Sequence, residues 1–204
     1  MGSRPTRRRR GGGEPLKLTA ATIGAVRHPN AAIARLPGEP EPAPTAAPMA
    51  EDGHRHVGVE VENPNDTPLH VWASLKHYDF DPNTHVLTLW LTEHTPEPPP
   101  GIMMISQHPR TPEQVVVGAH GSAIIDVAIP HIIRKRVSGA EGKGMQFVEQ
   151  RIGQIDHVEM HVQYADTPIP RPDGADAARH HQLLMEHGDV VQERLSLNAA
   201  PTSR

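Results

Sequence analysis

The sequence predicts an all-β fold: an antiparallel β-sandwich of about seven short strands. Three observations predict it. Short segments alternate apolar and polar residues with a period of two. Clusters of Pro, Asn, Asp and Gly separate them, and only one segment suits a helix. The six aromatic side chains (Trp72, Tyr78, Phe80, Trp90, Phe147 and Tyr164) all lie between 72 and 164, which places the expected core there. The layout read from this is an extended basic and Pro-rich arm over 1–50, the sandwich over 51–170, and a linker, short helix and closing strand over 171–204.

Taken in order, residues 1–15 read as a tail, and 16–36 as a short adhesive apolar peptide in which Gly24 and Pro29 oppose one continuous helix. Residues 37–50 hold five prolines and read as an extended spacer. The segment 56–62 puts Val57, Val59 and Val61 on one face, a half-buried strand. Asn63-Pro-Asn-Asp-Thr-Pro68 is turn chemistry, since Asn and Asp bond their own backbone. Leu69–Lys76 would bury Leu69, Val71, Ala73 and Leu75, and Val86–Thr92 would bury Leu87, Leu89 and Leu91. The turn at 78–84 joins them into one expected hairpin, which needs an odd loop or a bulge to keep both apolar rows inward.

Ile102–Ser106, Val115–Val117, Ala123–Ile129, His157–Tyr164 and Val190–Leu197 fit further strands, and Ala177–Glu186 fits the helix. Gly139–Gly144 reads as a flexible loop between strands, lacking the spacing and the Ser/Thr of a phosphate loop. The run Val61-Glu-Asn-Pro-Asn-Asp-Thr-Pro-Leu69 resembles strand–turn–strand segments of immunoglobulin-like modules. That resemblance covers one hairpin, implies an immunoglobulin-like sandwich, and carries no function.

Charge separates along the chain. Residues 1–36 hold eight basic side chains and one acid, whereas residues 37–204 hold twelve basic and 23 acidic ones. A basic arm, with Arg7, Arg8, Arg9 and Arg10 at its head, thus precedes an acidic body and needs an anionic partner: a protein, nucleic acid, a membrane surface or the body itself. No known nucleic-acid module follows it, so a nucleic-acid contact rests on the arm alone.

There is no Cys, which excludes disulfides, thiolate zinc sites and a Cys nucleophile. No apolar run approaches the length of a membrane span, and Gly11-Gly12-Gly13-Glu14 follows the arginines where a signal would need apolar residues. A cytoplasmic protein is the expectation. Arg outnumbers Lys 16 to 4, the composition of a GC-rich bacterial genome, which weakens arguments from the 15 histidines.

Candidate sites follow from spacing. His157, Glu159 and His161 share one face of an expected strand, a spacing that would let two histidines and a carboxylate take part in a structural zinc site; a solvated outer face is the plainer reading. Asp79, Asp81 and Asn83 copy the start of a calcium loop, but Thr84 and Trp90 stand where Gly and Glu are required. His120, Ser122 and Asp126 supply the residue types of a triad without the nucleophile-elbow motif. Trp72 and Trp90 occupy even positions on strands whose odd positions face inward. They are therefore expected side by side on an outer face, forming a partner-binding patch or lying under the helix at 177–186 or the segment 16–36.

The expected function is accordingly a non-enzymatic protein-interaction or structural module. It would bind a protein partner or a second copy through Trp72, Trp90 and Arg7–Arg10. A zinc-binding β-domain and an arm-mediated nucleic-acid binder are the alternatives.

Overall fold

The computed structural model describes residues 13–24, 34–35, 54–97, 111–138, 145–171 and 177–198. Arg7–Arg10 and Ile102–Ser106 lie outside them. In chain order the first strands are β1 (Lys17–Gly24), β2 (Ala34–Arg35), β3 (His54–Glu62), β4 (Leu69–Trp72), β5 (His77–Asp81) and β6 (Val86–Leu91). Then come β7 (Gln114–Val117), β8 (Ser122–Pro130), β9 (Ile132–Ser138), β10 (Met145–Arg151) and β11 (His157–Ala165). Helix α1 (Ala177–Glu186) and β12 (Asp189–Asn198) close the order.

The all-β expectation holds, with one short helix. The sheet, however, is one curled, mixed half-barrel in the order β2-β8-β3-β1-β12-β11-β4-β7, where the sequence suggested an antiparallel immunoglobulin-like sandwich. β6 runs parallel to β11, and β1 parallel to β12. Alternation reports which face of a strand is buried but not which strand lies beside it, so parallel pairing leaves no local mark. The concave side carries the core: Val57, Val59 and Val61 on β3, Leu87, Leu89 and Leu91 on β6, Ile125 and Ile129 on β8, and Val158, Met160 and Val162 on β11.

The fold starts well before residue 51. β1 lies between β3 and β12, and it buries Leu18 and Ala21, with Leu16 just ahead of it. Its register slips between Leu18 and Ala20. That bulge brings even-numbered Leu16 and Leu18 and odd-numbered Ala21 to the same side, which no uninterrupted period of two could do.

The expected strand Leu69–Lys76 divides. β4 ends at Trp72, and Ala73 is held by the Glu113 carbonyl at 2.9 Å. The chain resumes as β5 with its phase reversed, burying Phe80. The hairpin partner of β6 is therefore β5, paired Asp81 to Val86 and His77 to Trp90 across a four-residue turn. Asp81 makes that turn: its carboxylate accepts the Asn83 N–H at 2.9 Å and the Thr84 hydroxyl at 2.8 Å. These bonds hold the Asp81 carboxyl below its usual range, the Asn83 N–H first and the Thr84 hydroxyl next. The residues that mimic a calcium loop are thus occupied as an Asx turn.

Asn63 does what its turn chemistry implies. Its buried amide donates to the carbonyls of Thr67, Val117 and Gly118, and its oxygen accepts the Asn65 N–H. These bonds tie the β3–β4 turn to the β7–β8 turn.

β9 and β10 pair only with each other. Ile133, Ile152 and Ile155 are buried at the base of this ribbon, and Gln150 donates to the Phe80 carbonyl at 3.0 Å. Beyond that base it stands apart from the main sheet.

Candidate functional site

Two surfaces carry side chains that the packing of the fold does not consume. The first is the outer face of β5, β6, β11 and β12. On β11 the residues 158, 160 and 162 point into the core, so His157, Glu159 and His161 point outward together, as alternation implies. Register sets His77, Trp90, His161 and Gln192 in one row across four strands. The Trp90 ring lies 5.0 Å from His77 on one side and 5.1 Å from His161 on the other, the second pair nearly parallel at 13°. Glu159 accepts from His161 Nε2 at 3.2 Å and from Gln192 Nε2 at 2.8 Å. Burial against Trp90 and its neighbours pushes the His161 pKa down, and the Glu159 carboxylate only partly opposes this.

Trp72 is not in this row. It is 1 % exposed, because β4 pairs with β7 and β11 rather than with β6, and its ring meets His187, just past α1, at 5.6 Å. The expectation of two adjacent outward tryptophans fails for that reason, and the cover near α1, the alternative weighed for it, is what is found. Burial also pushes the His187 pKa down, against the Thr167 carbonyl and Asp166. Gln163, on β11, pins this cover. Fully buried, it accepts from the Thr92 hydroxyl at 2.7 Å and the Glu93 N–H at 2.9 Å, and donates to the Leu184 and His187 carbonyls at 2.7 and 2.6 Å. Those carbonyls belong to the end of a helix, which always leaves acceptors without helical partners. Glu93, nearly buried, adds a second clasp by taking His181 Nδ1 at 2.7 Å and Lys76 Nζ at 3.0 Å.

Other sequence candidates disperse. His120 donates to Asp66 at 2.8 Å, and Asp126 accepts from buried His56 at 3.0 Å, so His120, Ser122 and Asp126 form no relay. His85 donates to Asp156 at 3.0 Å. Hydrogen bonds from Gln154 and then His85 hold the Asp156 carboxyl low. Among the described residues no three His, Asp or Glu side chains converge as a metal site. At His157, Glu159 and His161, the Glu159 carboxylate is engaged by His161 and Gln192.

The second surface is the β9–β10 ribbon. Phe147 is 63 % exposed, with Val148 at 48 % and Ile132 at 42 %. Register pairs Ile132 with Arg151, Arg134 with Glu149 and Arg136 with Phe147. Ile132, Arg134, Phe147, Glu149 and Arg151 therefore occupy one face, since directly paired residues share a face. Arg134 Nε donates to Glu149 at 3.0 Å, both side chains exposed. Position among the other aromatics assigns Phe147 to the core, whereas the ribbon exposes it. The available signal was its neighbourhood: a Gly-rich loop with Arg134-Lys135-Arg136 on its far side, the composition of a solvent-facing hairpin.

No protein-family model, curated protein or solved structure matches the chain. No described helix is long and apolar enough to cross a membrane.

Proposed function

We propose that this chain is a non-enzymatic protein-interaction module whose contact surface is the β9–β10 ribbon. The observation that carries the reading is Phe147, 63 % exposed on a ribbon that pairs with no other strand. An isolated two-stranded hairpin is marginal in water and gains most from a partner. An exposed aromatic on the same ribbon face as Arg134 and Arg151 has the composition of an interface rather than of ordinary surface. The polar clusters elsewhere support the same reading, because Gln163, Asn63, Glu93 and His56 each tie structural elements together. The contact surface thus moves from the tryptophan pair to the ribbon: Trp72 is buried, and histidines flank Trp90 on both sides.

Affinity capture with the full chain tests this. Phe147→Ser with Arg134→Glu is expected to lower recovery of every stoichiometric partner by about tenfold or more, the loss of a modest hot spot. Undiminished recovery by that variant would remove the ribbon from the function.

A further inference from the structure

Helix α1 is poorly supported by its own sequence. Ten residues are few for a helix in water, and its first turn holds no acid and its last turn no base to complement the dipole. Only His180 and Leu184 of it are buried. Its order therefore rests on attachments to the sheet and its connections, and three of these end on a histidine ring. His180 Nε2 lies 3.1 Å from the Pro170 carbonyl. His181 Nδ1 lies 2.7 Å from Glu93, and His187 Nε2, just past the helix, 3.2 Å from the Thr167 carbonyl. Leu184, in the core, and the two carbonyls that Gln163 holds are attachments without a titrating group.

Trp72 lies at this cover. Register pairs Val71 with Tyr164 on the concave side, so alternation sends His70 and Trp72 outward. His187 meets the Trp72 ring at 5.6 Å. Trp72 Nε1 and His70 Nδ1 are buried and find no hydrogen-bond partner among the described residues. Groups of that kind gain from meeting water, so the closed cover is not the best setting for either.

From this geometry we infer that α1 with His187 is an acid-opened lid. At neutral pH it seals Trp72; protonation of His187 releases it as a unit while the sheet beneath stays folded.

The groups around His187 decide the sign. It faces the Trp72 ring and His70 from β4, and the Thr167 carbonyl and Asp166 from the segment after β11. Burial is the largest influence and holds its pKa below 6.5; Thr167 and Asp166 oppose this, and His70 adds to it. Opening returns the ring to water and to its ordinary value. The open form therefore binds the proton better, and opening is favoured as pH falls from 6.5 through the depressed value. Each pK unit between the two forms raises the opening constant about tenfold. His181 works the other way, because a charged ring strengthens its bond to Glu93. That gain is small: the His181 side chain is 58 % exposed, and Lys76 already compensates Glu93 at 3.0 Å. The charged residues of α1 itself, Arg179 and Glu186, are exposed.

Trp90→Phe leaves Trp72 as the sole tryptophan, and acrylamide quenching of its fluorescence then reads the lid. From pH 8 to about 5, the quenching constant is expected to rise about threefold or more. Over the same interval, hydrogen-exchange protection of α1 in the unmodified chain should fall while β3, β6 and β11 keep theirs. His187→Gln, which retains an N–H for the Thr167 carbonyl but takes up no proton, is expected to remain closed at both ends of the range.

A Trp72 that stays shielded at the acid end, or that is exposed only as β11 loses protection, overturns the inference. So does a His187→Gln chain that opens at the same pH as its parent. One already open at pH 8 does so too, since the ring is then a prop rather than a trigger. Melts at pH 8 show that each variant folds, and if Trp90→Phe does not, exchange with and without His187→Gln decides alone.

Discussion

Gln163 and Phe147 belong to strands β11 and β10, yet their settings are opposite. Gln163 is polar, 0 % exposed and bonded on both amide atoms; Phe147 is apolar and 63 % exposed. Around Gln163, the outer face of the sheet is closed by α1, and polar groups are used to shut it. Phe147 stands at the surface of a ribbon that pairs with no other strand of the described chain. The difference separates what the protein uses to hold its shape from the surface proposed above as its contact with another molecule. A buried amide without partners costs far more than one bonded to protein, so the covered end must be complete within the chain. An exposed aromatic costs little in the monomer and contributes only when a partner arrives.

That comparison can be broken by mutation. The largest effect belongs to Gln163→Leu, which strands the Glu93 N–H and two carbonyls in a dry site. A loss of about 4 kcal/mol in urea unfolding is expected, and a loss below about 1 kcal/mol would show that α1 is held by something else. Leu16→Ala comes next at about 3 kcal/mol, the cost of truncating a buried leucine. It sharpens the comparison by testing whether the segment around β1 belongs to the folded body. If stability is unchanged, that segment is an appendage after all.

Acid should then weaken the covered face before the rest. His161 and His187 have folded pKa values below the ordinary 6.5, so the unfolded chain binds more protons in the interval between. Their contribution is complete above 6.5 and is lost as pH falls from there through the depressed values. Asp81 and Asp156, held below 3.8, add a second loss as pH falls beneath 3.8. Thermal melts from pH 8 to 3 should show both declines, and His161→Gln with His187→Asn should flatten the first. The smallest effect is that of Phe147→Ser on the isolated monomer, within about 0.5 kcal/mol of wild type. A larger loss would mean the ribbon is packed in solution.

Much of the fold was legible. β8, β11, β12 and α1 stand where alternation and helical composition put them: β8 and the first half of β11 alternate cleanly between buried and outward residues, and Val191, Leu195 and Leu197 of β12 pack partly against the core. β1 was hidden by its bulge, which breaks the period at Leu18–Ala20. β5 was hidden because the chain changes phase between Ala73 and Lys76. The outward row of His157, Glu159 and His161 could be read from one strand. The companions Trp90 and Gln192 could not, because they come from neighbours set by parallel and long-range pairing. Phe147 was misread for a simpler reason: aromatic residues are usually buried, and only its pairing with Arg136 in a free ribbon marks it as an exception.

Hydrogen exchange on the unmodified chain tests the central claim most directly. Amides of β9–β10 are predicted to exchange faster than those of β11, β6 and β3, because the ribbon pairs with no other strand while those strands sit inside the main sheet. Ribbon amides protected as strongly as those of β11, β6 and β3 would contradict the division of this molecule into a self-sufficient body and a ribbon proposed as its contact surface.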